Sequence, residues 1–287
     1  MHTAVRQLFV GADHPEDICV LSDGRMAFGG ERGQLYVGDP ATGQFTKRAS
    51  TGGRILGVAA DSRDVLYACD PARNELRALD LTTGLLSTVT AGSDDYSLRH
   101  PNSVALTDDG GAFLSDSGAW DGYDGMILFV DNLGTTRVAS TEFAGFANGV
   151  AISPDGAYLY VVESQFGLSR APIKHEGVLG RREEVAALAG VVPDGLAFLA
   201  DGTVVVACYQ PNTILHVDSA GAVSTLLDDP SGVNLTLPTN IAFFGERLDE
   251  IAIANLGARS VSRARLGIVG SPVERPEHGP RAVAGTT

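Results

Sequence analysis

The chain has 287 residues, 44% of them apolar, and a formal charge of −14 from 21 basic and 35 acidic side chains. That balance suits a protein with a large buried area and argues against disorder; its sign repels phosphate backbones and anionic lipid, excluding nucleic acid and membrane surfaces as partners. No apolar run approaches the roughly 18 residues of a membrane span, and the first residues show no basic stretch followed by an apolar core, so no secretory leader and a cytoplasmic location are expected.

Residues 5–11 read as a short apolar strand, expected to complete the last unit of a closed ring and so remove a free sheet edge. One recipe then repeats six times. The first unit, from about His14 to Ser50, has strand-like runs at 18–21, 26–28 and 34–38, with turns at Ser22-Asp23-Gly24 and Ala41-Thr42-Gly43. Asp-Gly between apolar runs predicts a hairpin whose two central positions both take positive φ. The second unit has runs at 58–60, 65–69 and 76–79. The third has 104–106, 112–116 and 126–130, with a longer loop at 117–125 that carries the only tryptophan, Trp120. That loop is either a lid over a site, as loops on rigid scaffolds often are, or a packed surface loop. The fourth unit has 150–152 and 158–163, the fifth 196–198, 204–208 and 214–217, and the sixth 241–244, 250–254 and 261–264. Runs this short, without helical periodicity, predict an all-β fold. Residues 271–287, rich in Pro, Gly and charge, are expected to form a flexible tail behind a single domain over 1–270. Cys19, Cys69 and Cys208 have no metal spacing and read as small buried hydrophobes.

Each unit opens with a short motif: His14-Pro15-Glu16-Asp17-Ile18, Ile55-Leu56-Gly57-Val58, Pro101-Asn102-Ser103-Val104, Ala147-Asn148-Gly149-Val150, Pro193-Asp194-Gly195-Leu196 and Pro238-Thr239-Asn240-Ile241. Aligned on the apolar residue two places on, a variable slot holds Glu16, Leu56, Asn102, Asn148, Asp194 and Thr239, at steps of 40, 46, 46, 46 and 45 residues. A period of this size with strand-like units is the mark of a propeller, here a six-bladed β-propeller of four-stranded antiparallel blades. Its blades surround a central channel, so equivalent positions converge on the axis.

Glu16 and Asp194 would bring two negative charges to that point, and Asn102 and Asn148 two amide oxygens. An all-oxygen set suits one divalent cation, Ca²⁺ first and Mg²⁺, Mn²⁺ or Zn²⁺ after it. Without the ion, two close carboxylates repel and one pKa rises. The other reading is that the slot residues only cap turns, where Asn and Asp are common; Leu56 and Thr239 count against it, since they fill the same slot without a strong oxygen donor. Asp17 follows Glu16 directly and, by strand alternation, reads as a turn or surface carboxylate. Arg99 and His100 precede the Asn102 slot and could orient a polar substrate, or form a solvated loop pair.

These motifs resemble the regucalcin (senescence marker protein) and gluconolactonase family, six-bladed propellers that open a lactone ring at a divalent metal. The resemblance rests on Glu16 in the first blade, Asn148-Gly149 before an apolar strand and Pro193-Asp194-Gly195 in the next blade. It implies a metal held by Glu16, Asn148 and Asp194, with Asp194 also the catalytic acid or base, and a small-molecule substrate contacted by Asn102, Arg99, His100 and Trp120. Many relatives carry Pro-Asn-Asp where this chain has Pro101-Asn102-Ser103, a difference that bears on the sugar lactone more than on the metal. Residues 146–163 also resemble strictosidine-synthase-like propellers, which implies a second class of enzyme, in secondary metabolism, on the same scaffold. A non-enzymatic propeller that binds calcium or a ligand is the third possibility. The oligomeric state is left open.

Overall fold

The second strand of each unit reads as an unbroken apolar run because both of its faces are covered. In Val65–Asp70, Leu66 and Ala68 pack with Leu35, Val37 and Ile55 on one side, while Tyr67 and Cys69 pack with Val104, Leu114 and Leu128 on the other. Alternation along the strand sends successive side chains to opposite faces, and each face meets a neighbouring sheet. The computed structural model, which describes residues 5–282, arranges six such sheets as a six-bladed β-propeller with essentially no helix.

Each blade has four antiparallel strands, and in the first five their order in the sheet follows the chain from the axis outward. The innermost strands are Ile18–Val20, Val58–Ala60, Pro101–Leu106, Ala147–Ile152, Val192–Phe198 and Pro238–Phe244. Each contacts the innermost strands of the blades before and after it, and the sixth contacts the first. Blade six takes its outer strand from the other end of the chain: Arg6–Val10 pairs with Ser260–Ala264, the closure expected of residues 5–11.

The core is therefore divided into six wedges, one per blade junction. In the junction between blades six and one, Phe9 stacks on Phe28 at 5.1 Å and Phe28 on Tyr36 at 5.2 Å. Cys69 and Cys208 lie inside two wedges and Cys19 at the edge of a third, and all three are free thiols. The fourth strands, such as Gln44–Ser50 and Val223–Asp228, are largely exposed. Most carry no apolar run, so the sequence predicts a fourth strand only for the last unit, at residues 5–11; in the fourth unit the third strand, Gly167–Pro172, also goes unpredicted.

The Asp-Gly turns differ from the expected form. In Ser22-Asp23-Gly24 only the glycine has positive φ, at 84°. Gly24 N donates to Leu21 O at 3.1 Å, Leu21 N to Arg25 O at 2.7 Å, and Asp23 Oδ1 accepts from Arg25 N at 3.0 Å. This is a three-residue loop, a type I turn followed by a left-handed residue, and the carboxylate reaching two residues ahead selects it.

Inner and second strands pair with Pro101 opposite Asp116, Ala147 opposite Glu163 and Pro238 opposite Asn255. The slot motifs, the ends of the second strands and the 117–125 loop therefore share one mouth of the channel. Residues 271–282 cross the other end. Ser271 N donates to Phe198 O at 2.9 Å, Ser62 N to Pro276 O at 2.9 Å and Arg281 N to Asn132 O at 3.3 Å. Residues 283–287, the end of the expected flexible tail, lie outside the described residues, as do residues 1–4. No helix among the described residues is long and apolar enough to cross a membrane.

Candidate active site

The register of four blades breaks at the slot itself. Pairing skips from Pro101 to Val104, from Ala147 to Val150, from Pro193 to Leu196 and from Pro238 to Ile241. Each gap encloses the slot residue and its successor, so Asn102, Asn148, Asp194 and Thr239 sit in β-bulges, the irregularity that re-aims a side chain at a sheet edge. In blades one and two the ladder begins only after the slot, at Ile18 and Val58.

The residue after the slot joins each blade to the next. Asp17 Oδ2 accepts from Val58 N at 2.7 Å, and Oδ1 from Ile18 N at 2.7 Å. Ser103 Oγ accepts from Val150 N at 3.2 Å in the same way. Gly149 and Gly195 leave room instead: a Cβ on either would come within 2.6 Å of Asp194 O or 2.7 Å of Thr239 O. Asp17 is thus a buried clasp between blades one and two, not the surface carboxylate that alternation suggests; alternation fails because Glu16 and Asp17 precede the paired strand. Burial, offset in part by its two backbone donors, pushes the Asp17 carboxyl up to about 7.

The slot side chains are buried, Glu16 at 7% exposure, Asn102 at 4%, Asn148 at 6% and Asp194 at 8%. Among the described residues no backbone N–H donates to either Glu16 or Asp194. Burial first, then the charge of Asp194, raises the pKa of Glu16 well above the ordinary range. Burial and the charge of Asp17 raise that of Asp194, against a hydrogen bond from Asn148. Of the residues predicted from motifs in blades one, four and five, Asp194 thus feels Asn148 as a hydrogen-bond partner and is itself felt by Glu16 as a charge.

Two serines orient the amides. Ser164 Oγ donates to Pro193 O at 2.8 Å, so only its lone pairs face Asn148, whose Nδ2 donates to it at 3.1 Å. Ser117 Oγ donates to Ala147 O at 2.7 Å and accepts from Asn102 Nδ2 at 3.0 Å. Each amide nitrogen thereby gives one proton to a serine, Asn148 also bonding Asp194, and neither Oδ1 accepts a hydrogen bond among the described residues. Among those residues no three His, Cys, Asp or Glu side chains are arranged to hold an ion, so a cation here would need the amide oxygens as well as the carboxylates. Two carboxylates and two amide carbonyls are hard oxygen donors, the kind that divalent cations such as Ca²⁺ take.

The outer predicted residues divide. His100 is half-buried with its ring 5.7 Å from Phe146, and burial lowers its pKa. Trp120, half-exposed, meets the same Phe146 edge-on at 4.9 Å. Arg99 turns away: its Nε donates to Tyr96 Oη at 3.0 Å and its Nη atoms hold the carboxylate and carbonyl of Asp124. That grip, with Gln165 Nε2 donating to Trp120 O, fixes the 117–125 loop at the rim.

The family model described as the SMP-30/Gluconolactonase/LRE-like region matches residues 31–256. The chain belongs to this family. Among solved structures, this SMP-30/gluconolactonase family member is similar to regucalcin, a calcium-binding protein of Agrobacterium tumefaciens, at 18% identity and a TM-score of 0.80, covering 96% of this chain and 97% of that one. It is similar to a gluconolactonase of Xanthomonas campestris at 16% identity and a TM-score of 0.78, covering 92% and 90%. At such identities these show the fold. A curated relative, Protein STRICTOSIDINE SYNTHASE-LIKE 3 of Arabidopsis thaliana, is 26% identical over 201 residues, 65% of this chain. The chain spans about half the length of that relative, at 51%.

The motif reading did not single out Ser164 as part of the site, nor Arg54, which lies two residues before the Leu56 slot. Ser117 and Ser164 directly follow the acids Asp116 and Glu163 that end second strands, a shared position visible once the two motifs are aligned.

Proposed function

We propose that this chain is a lactone hydrolase of the gluconolactonase type, acting at one divalent cation, calcium first among them, held by Glu16, Asn148 and Asp194. The observation that supports it best is the pair of buried carboxylates without backbone donors beside an Asn148 amide oxygen that accepts no hydrogen bond among the described residues. Buried charge is costly unless matched, and this set matches a cation. When bound there, a divalent ion supplies Lewis-acid polarisation of the ester carbonyl and compensation of the oxyanion.

The chain's own residues supply the rest. Asp194 takes a proton from water at a carboxylate oxygen as the water oxygen bonds to the carbonyl carbon. The ring C–O bond then breaks, and the same proton passes to the departing ring oxygen, leaving a hydroxy acid. Asn102, oriented by Ser117, holds the substrate; His100 and Trp120, on either side of Phe146, close its walls and exclude water. The test is hydrolysis of simple and sugar lactones by the calcium-loaded protein, with and without chelator. Chelator-sensitive turnover of at least one supports the reading, and no turnover on any of them rejects it.

A second reading follows from the strictosidine-synthase-like relative: the same pocket would run a bond-forming or eliminating step. Turnover of amine and aldehyde pairs with no lactone hydrolysis would favour it.

A further inference from the structure

Two residues before each slot the chain places His14, Arg54, His100, Phe146, Val192 and Leu237. These form a second ring, one layer nearer the mouth than the slot. His14, Phe146 and Leu237 enter it in the left-handed region, with φ of 49, 61 and 52°. Phe146 lies between His100 and Trp120, at 5.7 and 4.9 Å, and the equivalent positions of the next two blades are the apolar Val192 and Leu237. The ring holds no carboxylate, hydroxyl or side-chain amide, the groups that bind the hydroxyls of a sugar.

Arg54 is its one permanent charge. Its backbone is fixed where N donates to Asp70 Oδ1 at 3.0 Å, an atom that also accepts from Arg73 N at 3.2 Å, while Asp70 Oδ2 lies 3.9 Å from Arg73 Nε. The Arg54 guanidinium enters no ion pair among the described residues, and its Nε is buried without a hydrogen-bond partner. Its charge reaches both Glu16 in blade one and His100 in blade three, favouring the ionised form of the first and the neutral form of the second. A planar fork of donors left unfilled beside the channel is suited to a carboxylate.

We propose that Arg54 binds a carboxylate of the substrate, and that the site takes a carboxylate-bearing lactone with an apolar body in preference to a neutral polyhydroxylated one. The lactone part rests on the reading above; the anion site does not.

Two sets of probes separate them. Tetrahydrofuran-2-carboxylate and its primary amide have no ester to open, and their binding to the calcium-loaded protein is read by titration calorimetry. The carboxylate should bind at least about tenfold more tightly than the amide. Arg54→Gln should erase that difference while leaving amide affinity within about twofold, and Arg54→Lys should restore part of it. Equal binding of the two probes, no binding of the carboxylate, or discrimination kept in Arg54→Gln would overturn the proposal; the last would mean that the cation, not Arg54, takes the anion. The second set is 5-oxotetrahydrofuran-2-carboxylate, its amide and glucono-1,5-lactone as substrates. The acid should lead by about tenfold in kcat/KM, and Arg54→Gln should remove that lead through KM with kcat held. Preference for glucono-1,5-lactone would overturn the substrate class. Arg54-dependent carboxylate binding with no lactone opened would leave the anion site standing and remove the lactonase reading.

Discussion

Two sets of acidic side chains are buried at the same mouth of the propeller, and they are built in opposite ways. At the ends of the second strands, Asp116 accepts from Arg99 N at 2.7 Å and His100 N at 2.9 Å, and Glu163 accepts from Gly145 N, Ser169 Oγ and Arg182 Nε at 3.2, 2.8 and 2.7 Å. At the slot, Glu16 and Asp194 have no backbone donor among the described residues, and the neighbouring charges that act most on them are carboxylates, Asp194 on Glu16 and Asp17 on Asp194. Burial is common to both sets, so burial does not distinguish a functional carboxylate from a structural one. The number of donors already spent on it does.

The sharpest break in that comparison is at Asp194. Asp194→Asn or Glu16→Gln should lower kcat/KM for lactone by about 10³-fold or more, on the order of 4 kcal/mol of transition-state stabilisation. Neither should unfold the protein: in chelator, melting should hold or rise, because a costly buried charge has been removed. Glu163→Gln should do the reverse. Losing the partner of Arg182, which is itself 21% exposed, should cost about 2 kcal/mol of stability in denaturant titration, with kcat of the folded fraction kept.

Ser164→Ala touches neither carboxylate yet frees the Asn148 amide to turn. Calcium affinity should fall about tenfold, as for other groups that orient a ligand, with melting in chelator nearly unchanged. The smallest effect is that of pH. Asp17, Glu16 and Asp194 have folded pKa values above their unfolded ones, so between about 4 and 7 the folded state binds more protons than the unfolded state. Stability of the chelated protein should therefore fall as pH rises across that window, by about 3 °C in melting temperature between pH 5 and 7.5, or on the order of 1 kcal/mol. Calcium should offset the fall, since it favours the ionised forms.

The sequence carried the fold because the repeat is periodic in apolar residues, and each blade needs the same inner and second strands to fill its wedges. It predicts Glu16, Asn148 and Asp194 as a group because a closed ring turns equal positions along the chain into neighbours. Asp17 was misread because strand alternation does not extend to residues ahead of the ladder. Arg99 and Arg54 look alike as residues of the loops entering blades three and two; only the fold shows the first committed to Asp124 and the second with no ion-pair partner among the described residues. Outer strands such as Gln44–Ser50 and Val223–Asp228 left no signal, being mostly polar and exposed; Arg6–Val10, which buries Leu8 and Phe9, is the exception.

The most direct measurement is a calcium titration by calorimetry on the chelator-stripped protein and on its Glu16→Gln and Asp194→Asn variants. One ion per chain should bind the native protein, and each variant should lose at least about tenfold in affinity. No binding by the native chain, or binding that both variants retain undiminished, would contradict the account.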